Sequence, residues 1–256
     1  MKRISLEVDG LQLAAQIHMP GGRGPHPTLC ICHGVPAGRT PDPSDGGYPL
    51  LAERFCGEGF AVLIFNFRGA GESEGNFDIL GWTRDLEAAT VYLCQLDEVD
   101  KSRLSVMGFS GGAMASIYRA AKDRRISSLV SCACPARFFD IADFSRIEEF
   151  LEHCHRIGII RDRKFPPSLA GWARGFEKVR PIKWVQSISP RPILIVHGDC
   201  DQTVDPSHAW DLYHKAKAPK DISIIKGGEH KLRLSEPAMS TALSWLKRVN
   251  GLTKES

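Results

Sequence analysis

Leu104-Ser105-Val106-Met107-Gly108-Phe109-Ser110-Gly111-Gly112-Ala113-Met114-Ala115-Ser116-Ile117-Tyr118 is the stretch that decides the fold of this chain. Leu104–Phe109 is a short apolar run bounded by glycine, which reads as a buried strand. Ala113–Tyr118 continues as a helix. Between them stands Gly108-x-Ser110-x-Gly112, the pattern G-x-S-x-G at a strand-to-helix junction. A serine there must sit in a tight, strained turn, and only small neighbours let strand and helix approach it. The turn lifts the hydroxyl off the sheet and into the reach of a base.

Working outward, seven more runs read as strands. Arg3–Val8 and Leu11–His18 alternate apolar with polar residues and are joined at Asp9-Gly10, a strong hairpin signal. Thr28–His33, Ala61–Phe67, Ser128–Ala133, Pro192–His197 and Asp221–Lys226 are short, mostly apolar runs. Helical stretches separate them. Tyr48–Glu58 stops at Gly59. Trp82–Leu96 carries Trp82, Leu86, Ala89, Leu93 and Leu96 on one stripe. Gly111–Lys122 follows the serine, and Ser235–Val249 starts with Ser235 as N-cap and Pro237 in its first turn. Strands alternating with helices imply right-handed βαβ units, hence an α/β fold with a mostly parallel sheet of eight strands and helices on both faces. Residues 1–256 read as one domain of that kind.

Ala136–Ser189 breaks the rhythm, with no strand signal over a span longer than an ordinary crossover. Ser145-Arg-Ile-Glu148 is a capping-box pattern that starts a helix. Phe138, Phe139, Phe144, Phe150, Phe165, Trp172, Phe176 and Trp184 all fall in the stretch. It reads as a small helical cap inserted between two strands and facing the edge that carries Ser110.

Composition excludes several classes of function. A net charge of +3 without a basic stripe argues against nucleic acid as a partner. No apolar run approaches the length of a membrane span. After Lys2-Arg3 comes an alternating strand pattern where a secretory signal would need an apolar core, so a cytoplasmic protein is expected. The eight cysteines then read as reduced thiols. Cys30-x-Cys32 and Cys132-x-Cys134 each place a pair on one face of a strand as small hydrophobes, and neither matches zinc-ligand spacing. His153-Cys154-His155 lies in a helical stretch, where residues one and two apart do not face each other. No metal site is expected.

A serine hydroxyl needs a base to become a nucleophile, and the base needs an acid to orient it. Pro192–His197 is followed by Gly198-Asp199-Cys200-Asp201, and Asp221–Lys226 by Gly227-Gly228-Glu229-His230. Parallel strands point their C-terminal ends the same way, so these loops and Ser110 share one edge. His230 is the candidate base. His197 ends a strand and is expected to pack, while His208 and His214 fall at helical positions. The acid is open among Asp199, Asp201 and Asp205, the last of which can cap a helix starting near Pro206-Ser207.

The chain resembles the α/β-hydrolases over nearly its full length, and more narrowly the small serine esterases that include cinnamoyl/feruloyl esterases and dienelactone-hydrolase-like proteins. Ser110, an acidic residue and His230 come in that family's chain order. His33-Gly34-Val35 resembles its oxyanion loop. Asn66-Phe67-Arg68-Gly69-Ala70-Gly71-Glu72-Ser73 resembles its D-x-R-G-x-G-x-S loop, with Asn66 in the acidic position. Ser110 stands where dienelactone hydrolases carry a cysteine. The resemblance favours Asp201 as the acid, through G-x-x-D, and implies an oxyanion hole made by the backbone N–H groups of Val35 and Gly111. Each such donor is worth about 3 kcal/mol to a tetrahedral intermediate, and Pro36 has no N–H to offer. Arg68 is expected to brace its loop, and His33 to bond backbone.

What the resemblance implies is a serine carboxylesterase acting through an acyl-enzyme on Ser110, with no metal or organic cofactor. Its expected partner is a small-molecule ester, with an apolar or aromatic group suggested by the rings of the insertion. A homodimer is compatible with the sequence. The alternatives are a thioesterase or peptidase with the same triad, and a non-catalytic hydrolase-fold protein that binds a ligand.

Overall fold

The computed structural model describes residues 1–36, 38, 45–138 and 147–252. The expected hairpin opens it. β1 (Lys2–Val8) pairs antiparallel with β2 (Leu11–His18) across Asp9 (φ 54°) and Gly10 (φ 74°), the two left-handed residues a tight hairpin turn requires. β3 (His26–Cys32), β4 (Ala61–Phe65), β5 (Val99–Phe109), β6 (Ile126–Cys132), β7 (Ile193–Gly198) and β8 (Lys220–Ile225) complete an eight-stranded sheet. Its order is β1-β2-β4-β3-β5-β6-β7-β8, with β2 antiparallel to both neighbours and all later pairs parallel.

Two apolar layers sandwich the sheet. On one face, Cys30, Cys32, Leu63, Leu104 and Val106 pack against α2 (Ile79–Gln95), α3 (Gly111–Lys122) and α7 (Ser207–Lys215). On the other, Leu29, Ile31, Val62, Met107 and Phe109 pack against α1 (Gly47–Gly57) and α8 (Glu236–Val249). The strict alternation along β3 and β5 is the period of two that a doubly covered strand shows. No helix among the described residues is long and apolar enough to cross a membrane.

Several boundaries differ from the sequence reading. α2 starts at Ile79, three residues early, because Asp78 caps it by accepting from the Leu80 and Gly81 N–H groups. β4 ends at Phe65, since Phe67 leaves the sheet to stack on Trp82 with centroids 4.4 Å apart. β5 begins at Val99 and runs through polar Asp100–Arg103 before its buried half. One cysteine expectation is corrected. Cys30 and Cys32 share a face, but Cys132 and Cys134 lie on opposite layers. β6 ends at Cys132, and Ala133 at φ 49° turns the chain, so the alternation stops there. All eight cysteines are free, and burial pushes the Cys134 and Cys154 thiols up to about 12.

Among the described residues, the stretch between β6 and β7 carries helices and no strand. It holds α4 (Ile147–Arg156), α5 (Leu169–Val179), α6 (Pro181–Trp184) and a 3-10 turn at Val185–Ser187. Ser145, Phe139 and Phe144 lie outside the described residues. Phe138, Phe150, Trp172 and Phe176 form one ring cluster around Phe77 from the loop after β4. Trp172 also donates its indole N–H to Phe77 O at 3.1 Å. Ile159 O accepts from Phe77 N at 2.8 Å, and Arg161 donates to the carbonyls of Ser73 and Gly71. These contacts fasten the insertion to a loop at the C-terminal edge of the sheet. Four of the described rings thus pack against one another, so the number of rings alone does not argue for an aromatic ligand.

Candidate active site

Ser110 sits between β5 and α3 at φ 51° and ψ −120°, a left-handed backbone that a serine adopts only under strain. Its own N–H is held by Cys132 O at 2.9 Å. The glycines on either side are there for space. A Cβ on Gly108 would stand 2.6 Å from Ala113 Cα, and one on Gly112 would stand 2.2 Å from His33 O. α3 is therefore pressed against the ends of both β3 and β5, and its first N–H groups open beside the serine.

The other two predicted side chains arrive on loops that are stitched together. Asp199 N donates to Ile225 O, Cys200 N to Gly228 O and Gly227 N to Asp199 Oδ1. Beyond this seam, Asp201 Oδ2 lies 2.8 Å from His230 Nδ1, and His230 Nε2 lies 3.0 Å from Ser110 Oγ. The carboxylate can only accept, so Nδ1 carries the imidazole proton and Nε2 is left to accept from the serine hydroxyl. Arg233, one turn past His230, pairs through both terminal nitrogens with Asp45 and lies over the Tyr48 ring at 5.3 Å. That pair ties the His230 loop to the start of α1 and holds the Asp45 carboxyl down to about 2.

Asp201 is buried. Burial pushes its pKa up, but bonds from His197, His230 and the Val204 N–H outweigh that and hold it well below the usual carboxylate range. Thr203 N and Val204 N donate to Oδ1 at 2.8 and 2.9 Å. The rival acids have other duties. Asp199 takes the Gly227 N–H, and Asp205 takes the Ser207 N–H at the start of α7. Among the rival histidines, His208 Nδ1 accepts from Ala136 N. His197 is buried as expected, but it also reaches Asp201, a contact the sequence reading missed. Its position at the C-terminal end of β7, four residues before Asp201, was the available signal.

Val35 and Gly111 come side by side. A Cβ on Gly111 would lie 3.2 Å from Val35 Cγ2 and 3.7 Å from Val35 N, while one on Gly34 would lie 3.0 Å from Ser110 Cβ. His33 Nδ1 bonds Gly34 O at 2.7 Å and its Nε2 accepts from Phe67 N at 3.0 Å, so it braces this loop. Burial brings the His33 pKa down to about 4. Arg68 is a bracing cation too: it bonds Asp85 in a buried fork and reaches Asp9. The Asn66 amide is held inside its own loop, against Gly71, where a Cβ would sit 2.2 Å from Asn66 Nδ2.

A cleft of about 660 Å³ lies next to this site, lined by Arg3, Gln12, Gln16, Tyr48, Asn66 and Glu72 among others. It shares His33 with the site, but none of Ser110, Asp201 and His230 lines it. No cluster of metal-ligating side chains occurs among the described residues.

The family model described as the alpha/beta hydrolase fold matches residues 27–156, just over half of the chain. The quorum-quenching protein AidA of Acinetobacter baumannii is 29% identical over 136 residues, covering 52% of this chain and 43% of AidA. The chain spans about half the length of most of the curated relatives it matches. Among solved structures, the alpha/beta hydrolase GrgF from Penicillium sp. sh18 superposes with a TM-score of 0.76 at 21% identity, covering 98% of this chain and 99% of that one. Est1E from Butyrivibrio proteoclasticus, solved with ferulic acid bound, gives 0.70 at 22% identity and 96% coverage of both chains.

Proposed function

The chain belongs to the alpha/beta hydrolase fold family, and on that premise we propose that it hydrolyses carboxylic esters through an acyl-enzyme on Ser110. The observation that carries this reading is the unbroken series from Asp201 Oδ2 to His230 Nδ1 at 2.8 Å and from His230 Nε2 to Ser110 Oγ at 3.0 Å.

In this reading Ser110 Oγ attacks the acyl carbon while its proton passes to His230 Nε2. Asp201 holds the ring in the Nδ1–H form and stabilises the imidazolium. The charge on the tetrahedral oxygen faces the N–H groups of Val35 and Gly111, with the positive end of α3 behind Gly111. Collapse breaks the bond to the alcohol, which leaves with the proton from His230. A water that gives a proton to His230 then attacks the acyl-enzyme, and Ser110 is regenerated with release of the acid. Every proton moves through one nitrogen, which suits an edge site with a single base.

The test is turnover of a panel of p-nitrophenyl esters of rising acyl length with a feruloyl ester, an acyl-CoA and an aminoacyl amide alongside. Fluorophosphonate labelling of Ser110 is read in parallel. The expected result is labelling at Ser110, ester turnover above thioester and amide turnover, and loss of both signals in Ser110→Ala. Preferred thioester cleavage would make the protein a thioesterase with the same triad. Absence of labelling and of all turnover would make it a binding protein on a hydrolase fold.

A further inference from the structure

The reaction proposed above uses one histidine, and a second is buried against the same carboxylate. His197 is the next-to-last residue of β7, with its side chain wholly out of solvent. Its Nε2 lies 2.9 Å from Val204 O and 3.2 Å from Asp201 Oδ2. Val204 O can only accept, so Nε2 carries the ring proton, donates it to that carbonyl and keeps it beside the carboxylate. The Nδ1 atom is buried with no hydrogen-bond partner among the described residues. A buried unpaired nitrogen is costly. A leucine here would remove that cost, and would also remove the donor.

The donor matters because of how Asp201 is held. Thr203 N and Val204 N, two peptide groups of its own turn, both bond Oδ1. Among the described residues Oδ2 meets side chains alone, His230 Nδ1 at 2.8 Å and His197 Nε2 at 3.2 Å. His230 is the group that must cycle between neutral and charged forms during turnover, so it is a poor anchor for its own partner. His197 is rigid, packed at a strand end, and does not face the substrate. We propose that His197 is a positioning residue: through Nε2–H it fixes the rotation of the Asp201 carboxylate so that Oδ2 stays aimed at His230 Nδ1. The inference rests on the hydrolase reading above, and the two can fail separately.

The test compares wild type, His197→Leu and His197→Gln, whose amide N–H can reach the place of Nε2. Three quantities are read: kcat and KM for p-nitrophenyl acetate, the rate of fluorophosphonate labelling of Ser110, and the thermal midpoint. His197→Leu is expected to lower kcat and the labelling rate together by roughly tenfold or more, with KM within about twofold of wild type. His197→Gln should bring both rates back to within about threefold of wild type. A merely structural residue would move the thermal midpoint without this split between kcat and KM and without rescue by the amide. Wild-type rates in His197→Leu, or equal losses in both variants, overturn the proposal. Nitrogen NMR of the ring in wild type decides it should the leucine variant not fold: a protonated Nε2 and bare Nδ1 are expected, and the reverse tautomer overturns it. If wild type neither labels nor hydrolyses, the hydrolase reading itself falls and takes this role with it. If wild type labels and His197→Leu labels as fast, only the positioning role falls.

Discussion

Gly198 and Gly228 pack backbone to backbone, so closely that a Cβ on Gly198 would stand 2.1 Å from the Gly228 carbonyl oxygen. This contact joins the loop that carries Asp201 to the loop that carries His230, and neither side of it is a flexible side chain that could swing away. Gly198→Ala must therefore push one loop off the other. Overpacking of this kind costs about 1–3 kcal/mol, and a displaced base weakens a hydrogen-bonded relay steeply. The expected outcome is a lower thermal midpoint together with a kcat reduced at least tenfold, on the order that small misplacements produce. Thermal melts and ester kinetics on the same preparation check it; unchanged values in both would contradict the close approach.

Two aspartates two residues apart give a second comparison. Asp201 accepts two peptide N–H groups on Oδ1 and faces His230 Nδ1 with Oδ2, whereas Asp199 accepts one peptide N–H, from Gly227. In Asp201→Asn the amide can present a donor to Nδ1 and so favour the wrong imidazole tautomer, which costs on the order of 10⁴ in kcat in a serine triad. Asn at position 199 keeps an oxygen for Gly227 N, and its loss of kcat should stay under about tenfold. Steady-state rates of the two variants decide the assignment, and a larger loss at position 199 would reverse it.

What the sequence revealed and what it hid follow from the physics of each signal. The hairpin at Asp9-Gly10, the buried strands and the turn at Ser110 were legible because periodicity and glycine placement are local properties. That the loops bearing Ser110, the candidate acids and His230 share one edge was legible because parallel strands point their C-terminal ends the same way, whereas the choice of Asp201 among the three aspartates came from the family resemblance. The start of α2 was misread because the apolar stripe was read from Trp82, while the start signal that matters is the Asp78 cap. The role of His197 was hidden because packing and hydrogen bonding to Asp201 look alike in a one-dimensional pattern. The rings of the insertion suggested a ligand wall, yet Phe138, Trp172 and Phe176 are buried around Phe77. Apolarity in a sequence reports that a side chain wants a partner and not which partner it finds.

Arg68 and Asp85 form a pair whose side chains are 7% and 0% exposed, and Asp85 also accepts from the Arg68 backbone N–H. Removing the cation in Arg68→Leu strands a buried carboxylate. Breaking a buried pair from one side costs about 3–5 kcal/mol. The expected outcome is a fall of that size in unfolding free energy by urea titration. Replacing both members, in Arg68→Leu with Asp85→Leu, should recover a good part of it. Equal stability of the single and double variants would show that a stranded carboxylate is not what destabilises Arg68→Leu.

The last prediction concerns pH and His33. Its pKa is lowered from 6.5 to about 4, chiefly by burial. The unfolded chain takes up this proton as pH drops below about 6.5, while the folded chain refuses it until about 4. His33 is therefore silent above the higher value. Stability falls with pH across the window between the two, and the accumulated loss is about 3 kcal/mol. The ring is also the acceptor for Phe67 N at 3.0 Å, so its protonation removes an acceptor as well as adding a buried charge. In His33→Gln the side-chain oxygen can still accept from Phe67 N but cannot titrate. Unfolding free energies of wild type and His33→Gln should then run parallel above about pH 6.5 and diverge below it, with wild type losing stability faster. Parallel curves down to pH 4 would mean that His33 takes a proton in the folded protein without cost, and that burial of its ring does not set the acid limit of the loop bearing Val35.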